Sequence, residues 1–131
     1  MEDLFYFTKA NVGLDDIAQI ATAAGCQVEQ HDTPSPMLRI YDTPRVVWEW
    51  SVLNADDGDF DSFETPQQEQ LAVYQPVSAF QITFHVQTLP QLKGLLKQAL
   101  NQYDGWVGCD DGTFETIFSL DTIGSLHLPY L

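Results

Sequence analysis

Within GWVGCDDG, residues 105–112, a thiol, two adjacent carboxylates and three glycines stand in eight positions. A cysteine becomes a nucleophile when a cation or a helix N-terminus lowers its pKa. Cys109 instead adjoins Asp110 and Asp111, whose charge raises it, and Lys97 is the last lysine or arginine in the chain. His85 or His127 could reach the thiol only through the fold. Turn chemistry accounts better for the same residues. Gly105 ends a helix, Trp106 anchors a core, and Gly108 marks a bulge or a close backbone approach. Asp111-Gly112 then joins two strands as a two-residue hairpin, leaving Asp110 as an exposed contact residue and Glu115 beyond it.

A second concentration of chemistry lies in NADDGDFDSFETPQQEQ, residues 54–70. Asp57, Asp59 and Asp61 fall at the first, third and fifth positions of an EF-hand count. Ser62 then occupies the position that needs glycine, and Gln68 the position that needs a bidentate glutamate. Pro66 interrupts any exiting helix, so the calcium pattern fails halfway. The same stretch reads as a recognition loop: Asp56, Asp57, Asp59, Asp61 and Glu64 are interleaved with Phe60 and Phe63. Aromatics beside acids can anchor in a basic cleft while the charges steer the encounter. The simplest account is a solvated, partly mobile loop between two halves of the domain.

Other chemistries leave no mark. His31, His85 and His127 stand singly, without the helical pair of a zincin, and no glycine-rich phosphate loop is present. No metal or cofactor is expected from these spacings. Trp48 and Trp50 could form a ligand platform, but aromatics two apart on a strand ordinarily belong to a core. Asp15 and Asp16 are explained by the positive end of a helix dipole.

The global charge frames these readings. Nineteen acids against five lysines and arginines give −14, which disfavours nucleic acid phosphates and anionic membranes. A basic partner, a cation or plain solubility remain. Cys26 and Cys109 are not in CxxC pairs, as expected of free thiols in a reducing compartment. MEDLFYF lacks the basic start of a secretory signal, and no apolar run reaches the ~20 residues of a membrane span. A soluble, cytoplasmic protein is expected.

The elements that must position these residues follow from periodicity. Residues 3–8, 26–31, 37–42, 45–53 and 80–86 read as strands. Residues 13–25 and 88–105 read as amphipathic helices, the second with Thr88 and Gln91 at capping-box spacing. DTPSP at 32–36 and Thr43-Pro44 read as turns. Residues 106–120 read as two short strands. The whole is one α+β domain, 1–131: a mostly antiparallel sheet with two helices on one face and a strand–helix–strand–strand order repeated in each half.

YDGWVGCDDGTFETIFSL, residues 103–120, resembles small acidic bacterial proteins of the toxin-immunity kind, which pair a leucine-rich helix with a GW strand and an acidic turn. The resemblance covers residues 88–124. It implies a non-enzymatic antitoxin that blocks a basic toxin such as a nuclease, with Asp110, Asp111 and Glu115 as the matching acids. The leading expectation is thus a monomer or weak homodimer that occludes a basic protein partner through the 56–64 and 110–115 acids. The alternatives are a small-ligand or divalent-cation module, an enzyme assembled only in the fold, and a self-associating protein using Trp48, Trp50 and Phe80–Phe84 at a sheet edge.

Overall fold

A computed structural model describes residues 1–32, 35–43 and 45–128. The expected turns at 32–36 and Thr43-Pro44 fall partly outside those residues. Seven strands form one sheet: β1 (Glu2–Thr8), β2 (Gln27–His31), β3 (Met37–Thr43), β4 (Val46–Val52), β5 (Ser78–Phe84), β6 (Trp106–Cys109) and β7 (Ile117–Phe118). Their order is β2-β3-β4-β5-β1-β6-β7, and every ladder is antiparallel. The helices are α1 (Leu14–Ala23), α2 (Thr65–Tyr74) and α3 (Leu89–Tyr103). The α+β class and the antiparallel sheet read from the sequence are observed; α2 is a third helix beyond the two expected, and its Leu71 packs into a second core rather than with α1 and α3.

β1 lies between β5 and β6 and is antiparallel to both, so β5 and β6 run parallel and α3 is the crossover that parallel strands require. This central position explains DLFYF, an apolar run without alternation. Leu4 and Tyr6 enter the main core, while Phe5 and Phe7 enter a second core on the opposite face. A strand buried on both faces reads as continuous apolar sequence.

The main core packs α1 and α3 against Trp48, Trp50, Phe80, Ile82 and Phe84. α1 starts where the Gly13 N–H donates to Asp16 Oδ2 at 2.8 Å and stops before Gly25, at φ 91°. The Trp48 indole N–H donates to Thr88 Oγ1 at 3.0 Å, and that hydroxyl donates to the His85 carbonyl at 2.7 Å. Thr88 is therefore occupied by the core and makes no side-chain cap to α3, contrary to the capping-box expectation. Trp48, Trp50 and Phe80–Phe84 sit on interior strands, not at a sheet edge. The Trp and Phe rings are buried, so the self-association surface expected there does not exist.

α3 is tied back to β1 at its C-terminus. The Tyr6 hydroxyl donates to the Asp104 carbonyl at 2.8 Å, across 98 residues, and Thr8 Oγ1 donates to the Tyr103 carbonyl at 2.9 Å. Burial pushes the Tyr6 phenol well above its usual range. The chain then turns through Gly105 at φ 105°, where a Cβ would lie 2.1 Å from the Phe7 carbonyl oxygen. Only glycine fits so close an approach.

The second core is aromatic. Phe5, Phe7, Leu71, Ala79, Trp106 and Phe114 are buried, with Leu53, Phe60, Phe63 and Tyr74 packed around them. Its cover is the 54–74 segment, which is ordered into turns of 3-10 helix at Ala55–Asp57 and Asp59–Ser62 and then α2. The loop expected over 54–70 is therefore shorter than its composition suggests, because residues 65–70 belong to α2. Pro66 sits in the first turn of that helix, where a missing N–H costs nothing. The Gln67 amide oxygen accepts from the Glu64 N–H at 2.9 Å and closes the helix entrance.

Candidate functional site

The acidic side chains are positioned by rings beneath them. Phe63 meets Phe5 at 5.0 Å and Phe114 at 5.4 Å between ring centroids, both edge-on. Phe60 meets Phe7 at 6.1 Å. Aromatic pairs in such geometry contribute ~0.5–1.5 kcal/mol each beyond their area burial. They fasten the 56–64 segment to the sheet and bring it beside the 110–116 connection. Neither Phe60 nor Phe63 is presented as an exposed anchor; both are partly buried in the second core.

The 110–116 connection differs from the expected hairpin. β7 begins only at Ile117, so seven residues link β6 and β7, and Asp111-Gly112 is one part of that loop. Asp111 Oδ1 accepts from the Thr113 N–H at 2.9 Å, the Phe114 N–H at 3.0 Å and the Thr113 hydroxyl at 3.2 Å. That carboxylate is consumed by the turn it builds. The turn drives Phe114, at φ 54°, down onto the second core. Gly108 makes room for it: a Cβ there would lie 2.8 Å from the Phe114 ring.

The two acidic segments meet at a cavity of about 230 Å³ walled by Asp3, Asp59, Glu64 and Asp110 over Phe5 and Phe63. Asp3 lies two residues before Phe5 and shares its sheet face; its Oδ1 accepts from Thr83 Oγ1 at 2.7 Å. Asp59 Oδ2 accepts from the Asn54 N–H at 2.6 Å. Asp110 is held above its usual carboxylate range, by burial first and then by the charges of Asp3 and Asp111. No lysine, arginine or histidine among the described residues lines the cavity. Gln67 closes its inner side; this residue is 1% exposed, and its Nε2 has no hydrogen-bond partner among the described residues.

The remaining expected site residues are dispersed around it. Asp56 lies in a separate hollow of about 360 Å³ between residues 52–56 and 76–79. Glu115 faces a groove of about 310 Å³ beside Glu69 and Val73 of α2. Asp57 and Asp61 are exposed. Asp57, Asp59 and Asp61 keep the spacing that opened the calcium reading, yet no three His, Cys, Asp or Glu side chains converge as metal ligands among the described residues.

Six residues of the cavity fall outside the site expected from sequence, Asp3 and Gln67 among them. Strand alternation from Phe5 places Asp3 on the second face, and the Glu64–Gln67 spacing beside Pro66 is a helix-start signal. Both signals gain meaning only when that face is known to be the one bearing the acids.

Position settles the chemistry of the thiols. Cys109 is buried at 3% exposure, and its Sγ lies 3.5 Å from the His127 carbonyl oxygen. Burial, and then the Asp111 charge, pushes its pKa up to about 11. Cys26 is also raised, by burial and by Asp42, whose Oδ1 is 3.7 Å from its sulfur. Neither is an activated thiolate.

Comparison with known proteins returns no match: no family model, curated protein or solved structure matches the chain. No helix among the described residues is long and apolar enough to cross a membrane.

Proposed function

We propose that this protein is a non-enzymatic acidic binding protein that occludes a basic protein partner, in the manner of an immunity protein or antitoxin acting on a toxin nuclease. One observation carries the reading. Segments 56–64 and 110–115 are distant in sequence, and together they hold eight of the 19 acids. They are packed side by side through the Phe63–Phe114 contact. An acidic field focused in this way raises the encounter rate with a basic partner and makes it salt-sensitive.

The test is affinity capture of basic proteins at low and high salt, followed by titration of the captured protein against variants. Asp61→Asn, Asp110→Asn and Glu115→Gln combined leave Asp59 and Asp111 to their turn hydrogen bonds. The combined variant is expected to bind at least about tenfold more weakly, since truncating desolvated charge pairs costs ~2–5 kcal/mol. Unchanged affinity would place the interface elsewhere.

A further inference from the structure

We infer that the outer edge of β2 is a docking site for an extended segment of another protein, one in which basic residues alternate with apolar ones. The inference does not rest on the proposed function. β3, β4 and β5 stand between β2 and β1, so this edge is separate from the surface of the 56–64 and 110–115 acids.

The sheet ends on two unlike edges. β7 spans only Ile117–Phe118, and such brevity protects an edge strand from further pairing. β2 is longer, Gln27–His31, and is matched to β3 from Tyr41 back to Met37 in an unbroken register. It carries no lysine and no proline, and no bulge turns it aside. Every second residue of an edge strand turns its N–H and C=O away from the ladder. No backbone hydrogen bond among the described residues reaches β2 from that side. Unused main-chain donors and acceptors in a row are the recognition element of strand addition, in which a second extended chain satisfies them.

The two faces beside the edge set the side chains of the incoming segment. Val28 and Gln30 pair with Ile40 and Leu38, which belong to the main core. Val28 is 37% exposed, and an apolar residue laid alongside would cover it. Gln27 and Glu29 lie on the other face, where with Tyr41 and Asp42 they line a hollow of about 460 Å³. No lysine, arginine or histidine among the described residues lines it. Arg39 stands opposite Glu29 but donates to Glu49 at 3.1 Å. Glu29 meets His31 at 2.5 Å and still keeps half of its side chain exposed. A lysine or arginine suits this hollow, its stem along the Tyr41 ring and its head at the carboxylates. Because strand side chains alternate between faces, the segment that fits is basic on one face and apolar on the other. Glu29 also decides against a second copy of this chain. Antiparallel pairing of β2 with its counterpart over its full length would set Glu29 opposite Glu29, and like charges directly opposite are destabilising.

The experiment is an NMR titration of the full chain with the capped peptide Thr-Lys-Val-Arg-Val-Lys-Thr. Saturable shifts centred on Gln27–His31 and Tyr41 are expected, with Kd on the order of 1 mM, together with slowed exchange of β2 amides that exchange freely in the unliganded chain. The same peptide with glutamate at each basic position is expected to bind at least about tenfold more weakly. A version N-methylated throughout keeps the side chains, loses the main-chain donors and should not bind. Glu29→Gln with Asp42→Asn should weaken the basic peptide by about fivefold or more while the unliganded spectrum stays native. Shifts centred on the 56–64 and 110–115 segments with β2 unmoved, equal binding of the glutamate or N-methylated peptide, or an unaffected variant would each overturn the inference. So would β2 shifts that grow with protein concentration alone, since a second copy would then hold the edge.

Its failure is separable from that of the proposed function. The combined Asp61→Asn, Asp110→Asn and Glu115→Gln variant should bind the peptide as the parent does, because its three substitutions lie away from β2. Loss of peptide binding in that variant would place the peptide on the acidic surface and overturn the inference.

Discussion

The rings of Phe63 and Phe114 lie 5.4 Å apart at 69°, and through them the two acidic segments of the chain share one foundation. Phe114 is nearly inaccessible and also meets Phe5, Phe7 and Trp106. Phe114→Ala should destabilise the protein by ~3–5 kcal/mol, and Phe63→Ala, at a half-buried site, by less. In a double-mutant cycle read by urea denaturation, the pair should show coupling of ~0.5–1.5 kcal/mol. Additive losses would mean that the two segments are held independently.

Glycines supply a contrast that tests the backbone account. Gly105→Ala forces a Cβ to 2.1 Å from the Phe7 carbonyl at a φ that side chains rarely adopt, and should abolish folding or cost several kcal/mol. Gly94 lies on the exposed side of α3, where an added Cβ would have nothing within 4 Å. Gly94→Ala should raise stability by ~0.5–1 kcal/mol. Thermal melts of the two variants check both signs.

Asp110 links the site to pH. Its pKa in the folded chain is raised above the ordinary 3.8 by burial and by Asp3 and Asp111. The folded state thus favours the protonated form. The associated stability is fully present below pH 3.8 and is lost as pH rises through the folded value. Asp110→Asn should therefore raise the melting temperature at neutral pH, with the advantage shrinking as pH falls toward the ordinary carboxylate range. Melts from about pH 3 to 8 measure it. A variant no more stable than the parent at neutral pH would contradict the burial and repulsion assigned to this carboxylate.

Cys109 should behave as a core residue. With its pKa pushed up to about 11 and 3% exposure, alkylation of the native protein at about pH 8 should be far slower than that of the urea-unfolded chain. The native rate should climb only in strongly alkaline solution. Mass spectrometry of iodoacetamide time courses distinguishes Cys109 from Cys26. Rapid native labelling at Cys109 would reopen the nucleophile reading.

Periodic segments are legible in the sequence because one face of each is buried. Leu92, Leu95, Leu96, Ala99 and Leu100 mark α3, and Phe80, Ile82 and Phe84 mark β5. α2 is not legible in this way. In TPQQEQLAVY only Gln67 and Leu71 are buried, so the helix has almost no apolar stripe, and it stands on its capping, on Leu71 and on Tyr74 against Trp106. The 110–116 connection misleads for a related reason: Asp111-Gly112 has hairpin chemistry, but Phe114 has a buried place to fill. Burial of that ring, worth ~1.5–3 kcal/mol, outweighs the tighter turn. The cavity itself is half visible in the sequence. Asp59, Glu64 and Asp110 stand out by type, while Asp3 and Gln67 depend on which strands are neighbours, information that lies in long-range pairing.

The central place of β1 also sets a kinetic order. Its partners lie far along the chain: Glu2 pairs with Phe84 and Leu4 with Cys109. The strand that divides the two cores cannot be enclosed until residues as distant as 106–109 arrive. Two-state domains dominated by such non-local pairings fold in milliseconds to seconds, orders of magnitude more slowly than helical bundles. Until that closure, Phe5 and Phe7 remain uncovered on an apolar strand, the kind of segment that associates with its own copies. A strong negative charge then has a use apart from any partner, because like-charged chains repel one another during the interval in which that strand is exposed.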